Sequence, residues 1–273
     1  MRLALGVSYR GGAYCGWQRQ PTAHTVQACV EKALSCFADR PVEVTCSGRT
    51  DTGVHALNQV VHFDTELDRE IVSWVRGTNR YLPSDIAIQW CTPVADDFHA
   101  RFSARGRRYT YVLRESQVRP ALESGLVGWV FRPLDGLAMQ QAAQLLLGEH
   151  DFSAFRSSQC QALSPVKQLK SLDITRSGAY WRFDFDASAF LHHMVRNIMG
   201  CLVSIGSGAH PSPWIAQVLA SRVGQVVMVV EASRTPSSAV SQAFAMLEDC
   251  PVVMSVLNKA PESPIARGSY YFD

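Results

Sequence analysis

One short segment of the 273-residue sequence concentrates side chains that can do chemistry. The segment reads CSGRTDTGVHA, and its single carboxylate is Asp51, with Arg49 two residues before it and His55 four residues after it. Carboxylate, guanidinium and imidazole groups in proximity can act as nucleophile, anion-binding group and proton carrier. This segment is therefore the first candidate for a functional site.

Strand patterns flank the segment on both sides. VEVTCSG before it and NQVVHFD after it are rich in β-branched residues, which predicts two strands with the segment as their connection. Within the segment Ser47, Gly48, Asp51 and Gly53 are typical turn formers. Loops held by rigid strands are where proteins usually display catalytic groups.

The spacing of apolar residues predicts further strands and a helix in the first part of the chain. LALGVSY alternates, with Leu3, Leu5 and Val7 on one face, and is typical of a strand. TVQACVEKALSCFA has apolar residues at helical spacing. The predicted order of the first half is therefore strand, helix, strand, strand.

The second part of the chain has a similar order of patterns. RRYTYVL alternates with Tyr109, Tyr111 and Leu113 on one face, a helix follows, and QLKSLDITRSGAYWRFDFDAS predicts a hairpin near Gly178. AFLHHMVRNIMGCLVSIG predicts a largely buried helix, and a further helix follows it. We predict an α+β fold of two similar halves with mainly antiparallel sheet, residues 1–105 and 106–273.

Composition limits the class of protein. Apolar residues make up 47% and charged residues 18%, as in a folded globular protein. No apolar run reaches the ~18 residues that suggest a membrane span, and the first residues do not resemble a secretory signal, so a cytoplasmic protein is expected. The eight cysteines form no C-x-x-C pair, so we expect reduced thiols rather than zinc ligands.

Charge does not by itself point to nucleic acid, because the formal net charge is only +2. The basic residues are nevertheless 22 arginines and 4 lysines, and arginine suits phosphate recognition. HARFSARGRRY holds a local cluster, Arg101, Arg105, Arg107 and Arg108. We interpret it as a phosphate-binding patch, with a solvated face as the alternative.

Two other chemistries fit the segment poorly. Asp51-Thr52-Gly53 is the aspartic protease tripeptide, but such a protease needs two carboxylates sharing a proton, and Arg49 would oppose that sharing. His192 and His193 are adjacent, but on a helix they would point ~100° apart and make a poor metal-binding pair. No cofactor or metal signature is present in the sequence.

Read as a whole, GRTDTGVHA closely resembles the active-site motif of the TruA family of tRNA pseudouridine synthases. Further segments resemble that family in the same order, and together they span most of residues 3–222: YRGGAYCGWQRQ, QVVHFDT, LPSDIAI, FHARFSARGRRYTYVL, LLGEHDFSAFRS and FLHHMVRNIMG. The resemblance implies the pseudouridine synthase fold, with a central catalytic cleft. After about residue 222 the sequence departs from the family pattern, although VVMVV and PVVMSVL are each candidate strands.

The resemblance also implies residue roles. Asp51 matches the family's essential aspartate, and Tyr109 matches the tyrosine that stacks on the uracil, its hydroxyl being a candidate to take the C5 proton. Arg196 matches a basic residue near the aspartate, and inside an apolar helix an arginine would need a buried anion such as Asp51. Arg49 would hold phosphate or the flipped nucleotide, and His55 stays open between an RNA contact and loop packing.

The implied activity is isomerisation of uridine to pseudouridine at tRNA positions 38, 39 and 40, by a homodimer and without a cofactor. A non-catalytic tRNA-binding or tRNA-folding protein on the same scaffold is the alternative. Asp51 argues against that alternative, because an anion facing phosphates contributes nothing to binding alone.

Overall fold

The computed structural model describes residues 1–158 and 160–221, together with the backbone of two strands at 226–231 and 253–258. The chain divides into two compact units, Met1–Arg105 and Gly106–Asp273. Each unit combines helices with a mainly antiparallel sheet, which confirms the predicted α+β class. None of the helices in the described part of the chain has the length and apolarity that a bilayer crossing needs.

The first unit, residues 1–105, is described throughout and contains one four-stranded sheet. Its elements along the chain are β1 (Arg2–Tyr9), α1 (Val26–Ala38), β2 (Thr45–Cys46), β3 (Ala56–Asp64), α2 (Ile71–Asn79) and β4 (Ile86–Val94). The strand order is β2-β3-β1-β4, and every pairing is antiparallel. This is the split βαβ arrangement of ferredoxin-like folds.

The core of this unit lies where β1 faces the helices. The alternating residues Leu3, Leu5 and Val7 are fully buried, as predicted, and pack in one cluster with Val30 and Leu34 of α1. Burial of a side chain of this size contributes about 1.5–3 kcal/mol. The loop that joins β2 to β3 is therefore supported by a sheet with a well-packed core.

Strand β2 is shorter than its sequence pattern predicts. The amides of Val42 and Val44 donate to side chains of α1, Ser35 Oγ at 2.9 Å and Glu31 Oε1 at 3.1 Å. Since those amides are used by the helix, the ladder with β3 begins only at Thr45. Helix α2 and strand β4 were not predicted, and β4 completes the sheet beside β1.

Within residues 106–158 and 160–221, the second unit contains a five-stranded sheet and three α-helices. Along the chain they are β5 (Arg107–Glu115), β6 (Gly128–Val130), α3 (Gly136–Gln144), β7 (Gly148–Asp151), β8 (Val166–Ser177), β9 (Tyr180–Ala187), α4 (Met194–Gly206) and α5 (Trp214–Ala220). The strand order is β6-β5-β9-β8-β7, with β6 parallel to β5 and the other pairs antiparallel. The predicted hairpin is present, and Gly178 adopts the positive φ of +58° at its turn.

The two units repeat one order of elements, as the prediction of two similar halves requires. In the first unit β1, α1, β2 and β3 are followed by α2, and in the second unit β5, α3, β8 and β9 are followed by α4. The strand orders β2-β3-β1 and β8-β9-β5 correspond. The position that β4 occupies beside β1 is taken beside β5 by β6.

Each of the two candidate strand runs after residue 222 contributes a strand. They are β10 (Val226–Glu231) and β11 (Val253–Asn258), which pair in parallel as a separate two-stranded sheet. The rest of the tail lies outside the described residues.

Candidate active site

The segment that holds Asp51 forms the loop between β2 and β3, residues 47–55, which we call the Asp51 loop. Its first part is fastened to β3. The amide of Ser47 donates to the carbonyl of Val60 at 2.8 Å, and the Ser47 hydroxyl donates to Gln59 Oε1 at 2.8 Å. Gln59, which is buried, donates in turn through Nε2 to the carbonyl of Gly48.

A tight turn follows at the aspartate itself. The carbonyl of Asp51 accepts the amide of Val54 at 3.1 Å, so residues 51–54 form a β-turn. Gly53 occupies the third turn position with φ +81°, a conformation that glycine adopts without steric cost. Asp51 is half-buried, whereas the neighbouring Thr52 is exposed.

The chain segment Gly11–Trp17 packs along the loop on its other side. The amide of Trp17 donates to the carbonyl of Thr50 at 3.0 Å, directly before Asp51. Gly16 has φ +82°, and a Cβ atom there would lie 2.7 Å from the same carbonyl oxygen. The Tyr9 hydroxyl lies 2.8 Å from Thr50 Oγ1 and forms a further hydrogen bond. The backbone at the aspartate is therefore fixed by contacts that need a glycine.

A second close approach fixes the end of the loop. A Cβ atom on Gly11 would lie 2.0 Å from the carbonyl oxygen of Val54. The amide of Gly11 donates to His55 Nδ1 at 3.1 Å. The ring of His55 thus ties the loop to the first segment, which supports its packing role and leaves its RNA contact a prediction.

These positioning contacts were not foreseen from the sequence. No sequence pattern assigns a positioning role to Tyr9, Gly11, Gly16 or Gln59, although three glycines within RGGAYCG are a signal of close backbone approach. Glycine spacing indicates that two backbones meet, but it does not indicate which segment is met.

Two of the predicted binding arginines act on one thiol of the first unit. Burial raises the pKa of the Cys46 thiol, and the charges of Arg49 and Arg101 oppose that shift. Both arginines are exposed, and so is Arg105. The end of β2, where the Asp51 loop begins, therefore has positive charge from two chain segments, which suits an anionic ligand.

Tyr109 lies on β5 in the second unit. It shares a face with Tyr111 and the buried Leu113, as the alternation predicted, and this face packs against the core. The ring of Tyr109 meets Phe190 edge-on, with centroids 5.0 Å apart and planes at 89°. Tyr109 is half-buried, so its aromatic ring is held by packing and still reaches solvent.

The prediction that Arg196 lies inside an apolar helix is wrong. Helix α4 is amphipathic: Ile198, Met199 and Leu202 are buried, whereas Arg196 is on its exposed side. Its position therefore does not by itself require a buried anion. The charge of Arg196 lowers the pKa of Tyr111, against the upward shift that burial causes, so the guanidinium lies near the core-facing side of β5.

The prediction that His192 and His193 lie on a helix and point ~100° apart is also wrong. Helix α4 begins only at Met194, and His193 adopts φ +65° just before it. The two imidazole rings lie side by side, with centroids 4.0 Å apart. Neighbouring imidazoles are nitrogen ligands of the kind that Zn²⁺ takes, so metal binding must be tested rather than excluded by geometry.

The arginines at the start of β5 point to different sides of the sheet. Arg107 follows the alternation of Tyr109 and donates to the carbonyl of Ser188 at 3.3 Å. Arg108 lies on the opposite face, where its Nε donates to Asp186 Oδ2 at 2.8 Å. The predicted patch is therefore not one continuous surface, and Arg108 is separated from Tyr109 by the sheet.

Comparison with known proteins finds the same family over most of the chain. A family model described as tRNA pseudouridine synthase matches residues 6–103 and 142–244. The tRNA pseudouridine synthase A of Methylibium petroleiphilum is 69% identical over 221 residues, which cover 81% of this chain and 85% of that protein. The protein of the same name from Polaromonas naphthalenivorans is 63% identical over 81% of this chain and 86% of its own length. That from Albidiferax ferrireducens is 62% identical over 81% of this chain and 85% of its own length.

The close approach at Gly16 generates a prediction about stability. Gly16→Ala should lower the free energy of unfolding by at least ~1–3 kcal/mol, because alanine is strained at positive φ and its Cβ meets the Thr50 carbonyl. Gly12→Ala is the matched control, since nothing lies within 4 Å of its Cβ position, and it should change stability by less than ~0.5 kcal/mol. Urea denaturation measures both, and equal stability of the two variants would contradict the proposed packing.

Proposed function

Since the chain belongs to the tRNA pseudouridine synthase family, we propose that it is an isomerase that converts uridine to pseudouridine in tRNA, with Asp51 as its catalytic carboxylate. The observation that carries this proposal is the fixed backbone around Asp51. Hydrogen bonds from Trp17 and Gln59, and the β-turn at residues 51–54, hold the loop on both sides of the carboxylate.

The reaction breaks the bond between ribose C1′ and uracil N1, turns the base and joins C1′ to C5. The C5 proton leaves, N1 gains a proton, and no redox change or energy source is needed. An ionised carboxylate can act on the sugar or base without a separate base to activate it. Attack on the sugar and elimination are two routes for Asp51, and both require the carboxylate at a fixed place beside the nucleotide.

Tyr109 is proposed to stack on the flipped uracil and to accept the C5 proton. Support comes from its half-buried ring, which Phe190 holds edge-on at 5.0 Å. Base stacking on an aromatic ring contributes ~1–3 kcal/mol. The exposed Arg49 is proposed to bind phosphate or the reacting nucleotide. Arg196, also exposed, is proposed as a catalytic residue that would pair with Asp51 and keep it ionised.

The remaining proposals rest on the family resemblance. We propose uridines 38, 39 and 40 of the anticodon arm as targets, a homodimer as the active form and the cytoplasm as the location. The non-catalytic tRNA-binding alternative is not favoured, because the relatives that match are named as enzymes and Asp51 is present.

Replacing the carboxylate is the direct test. Asp51→Asn keeps nearly the same shape but removes the charge, so pseudouridine formation should fall by at least about 10³-fold while tRNA binding persists or tightens. Tyr109→Phe keeps the stacking face and should also bind tRNA, but with slow isomerisation because the hydroxyl is gone. Asp68→Asn, at an exposed position, is the matched control.

The readouts are tRNA affinity and pseudouridine yield, with folding checked by circular dichroism. A folded Asp51→Asn protein that makes pseudouridine at the wild-type rate would refute the catalytic assignment. An unfolded one would instead indicate that the Asp51 loop is needed for stability.

The arginines before Tyr109 generate a salt-dependence test. Arg105→Ala combined with Arg107→Ala should weaken tRNA binding and reduce the slope of log affinity against log salt by about 0.9 for each phosphate that the protein no longer binds. Arg108→Ala is the control, because Arg108 pairs with Asp186 on the opposite face of the sheet, and its slope should stay unchanged. If the double variant keeps the wild-type slope, the arginines form only a solvated face.

Metal dependence can be tested directly on the same activity. The isomerisation needs neither a redox centre nor an activated water, so we expect full activity in EDTA at constant ionic strength. The neighbouring rings of His192 and His193 make this test informative. A loss of turnover that a transition metal restores and magnesium does not restore would overturn the cofactor-free account.

A further inference from the structure

An exposed aromatic ring stands in the middle of the arginine-containing loop of the first unit, residues 96–105, which we call the Phe102 loop. Phe102 is 76% exposed, an unusual position for a large apolar side chain. The guanidinium of Arg101 lies 5.7 Å from the centre of its ring, and the ring of His99 lies 4.3 Å away at 31°. An exposed aromatic face beside arginine is how proteins bind unpaired bases.

The start of the Phe102 loop is tied to the sheet. One guanidinium nitrogen of Arg2, on β1, donates to the carbonyls of Asp96 and Phe98 at 2.7 and 2.8 Å. The buried ring of His62, on β3, accepts the amide of Ala100 through Nδ1 at 3.1 Å. Two strands of the central sheet therefore fix the backbone that leads to Phe102.

The turn that carries Phe102 is fixed locally as well. His99 Nδ1 lies 3.2 Å from the amide of Arg101 and 3.3 Å from that of Phe102, and accepts from both. The amide of Ser103 donates to the carbonyl of His99 at 2.8 Å. A ring held on a backbone this well bonded loses little conformational freedom when a ligand binds it.

The surroundings of His62 favour the neutral imidazole that accepts the hydrogen bond from Ala100. Only an unprotonated Nδ1 can accept the Ala100 amide. Burial lowers the pKa of His62, the charges of Arg2 and His99 lower it further, and Asp64 alone among the named groups opposes them. His62 is therefore kept in its accepting form, while Arg101 and Arg49 supply positive charge at the nearby end of β2.

We propose that Phe102 is a stacking platform for an unpaired base of the tRNA, and that His62 and His99 are positioning residues that hold it. The proposal rests on tRNA being the substrate. A uridine that leaves its stack to reach a catalytic group leaves neighbouring bases with uncovered faces, and a fixed aromatic ring can cover one of them. Arg101 would then meet the adjacent phosphate.

The test compares three replacements of Phe102 in the full chain. Phe102→Ala should weaken tRNA affinity by about 5- to 100-fold, the range that ~1–3 kcal/mol per stacked base represents. Phe102→Leu keeps apolar area but has no aromatic face, so its tRNA affinity should fall nearly as far as that of Phe102→Ala. Phe102→Trp keeps an aromatic face and should bind tRNA with close to the wild-type affinity. Leu122→Ala removes a 95% exposed leucine of the second unit and should have no effect.

Salt dependence separates stacking from charge. The log–log slope should be unchanged in Phe102→Ala, since no charge is removed, and should fall by about one in Arg101→Gln. Wild-type affinity in Phe102→Ala or Phe102→Leu would overturn the stacking proposal. A Phe102→Ala protein whose sedimentation coefficient changes while its tRNA affinity does not would also overturn the proposal, because Phe102 would then contact another protein chain. Failure of the wild-type chain to bind tRNA would instead defeat the proposed function itself.

The positioning role of His62 has its own readout. His62→Leu should weaken tRNA binding, and His62→Asn should restore it, because the asparagine Oδ1 can take the place of Nδ1 as acceptor. In the Phe102→Ala background, His62→Leu should cause little further loss, since it acts through Phe102. A full additional loss in the double variant, or no rescue by asparagine, would contradict this role.

Discussion

The backbone contact between Trp17 and Thr50 is the constraint on which the candidate site depends. Trp17 is fully buried in the core of the first unit, and its amide holds the carbonyl of Thr50 at 3.0 Å. The position of Asp51 is thereby linked to the packing of the sheet and α1, and not only to its own short loop. Gly16 makes this contact possible, because any Cβ there would collide with the same carbonyl. Rigid support of this kind is what a catalytic carboxylate needs, since small displacements are costly in rate.

Tyr109 and the Phe102 loop are positioned by similar means, a strand together with side-chain hydrogen bonds or a ring contact. Tyr109 is fixed by its strand and by Phe190, and the Phe102 loop is fixed by Arg2, His62 and His99. The candidate residues of the first unit lie in loops and Tyr109 lies near the start of β5, whereas Arg196 lies on the exposed side of helix α4, whose other side packs in the core. Each unit therefore has its own rigid sheet, built on the same split βαβ plan. The two units differ in the elements that are added to this plan.

Much of the fold was predictable because alternation and helical spacing are local properties. The buried face of β1 and the shared face of Tyr109, Tyr111 and Leu113 followed directly from their sequence patterns, and the family motifs identified the Asp51 loop. The exposure of Arg196 was missed because the helix was assessed by its apolar content, although the helical spacing of Met194, Ile198 and Leu202 puts Arg196 on the opposite side. The side-by-side rings of His192 and His193 depend on where a helix begins, and helix ends are poorly marked in sequence. The contacts of Gly16 join residues distant along the chain, which no local pattern encodes.

If Asp51 is the catalytic carboxylate, the position of that carboxylate, and not merely its charge, should determine activity. Asp51→Glu tests this most directly, because it keeps the charge and moves it by about one methylene length. The measurement is the rate of tritium release from tRNA labelled at C5 of its uridines, which reports loss of the C5 proton in the isomerisation. A fixed Asp51 loop predicts a fall of at least about 10²-fold with tRNA affinity retained. Tritium release at close to the wild-type rate would contradict the account, because the loop would then not fix the reacting group.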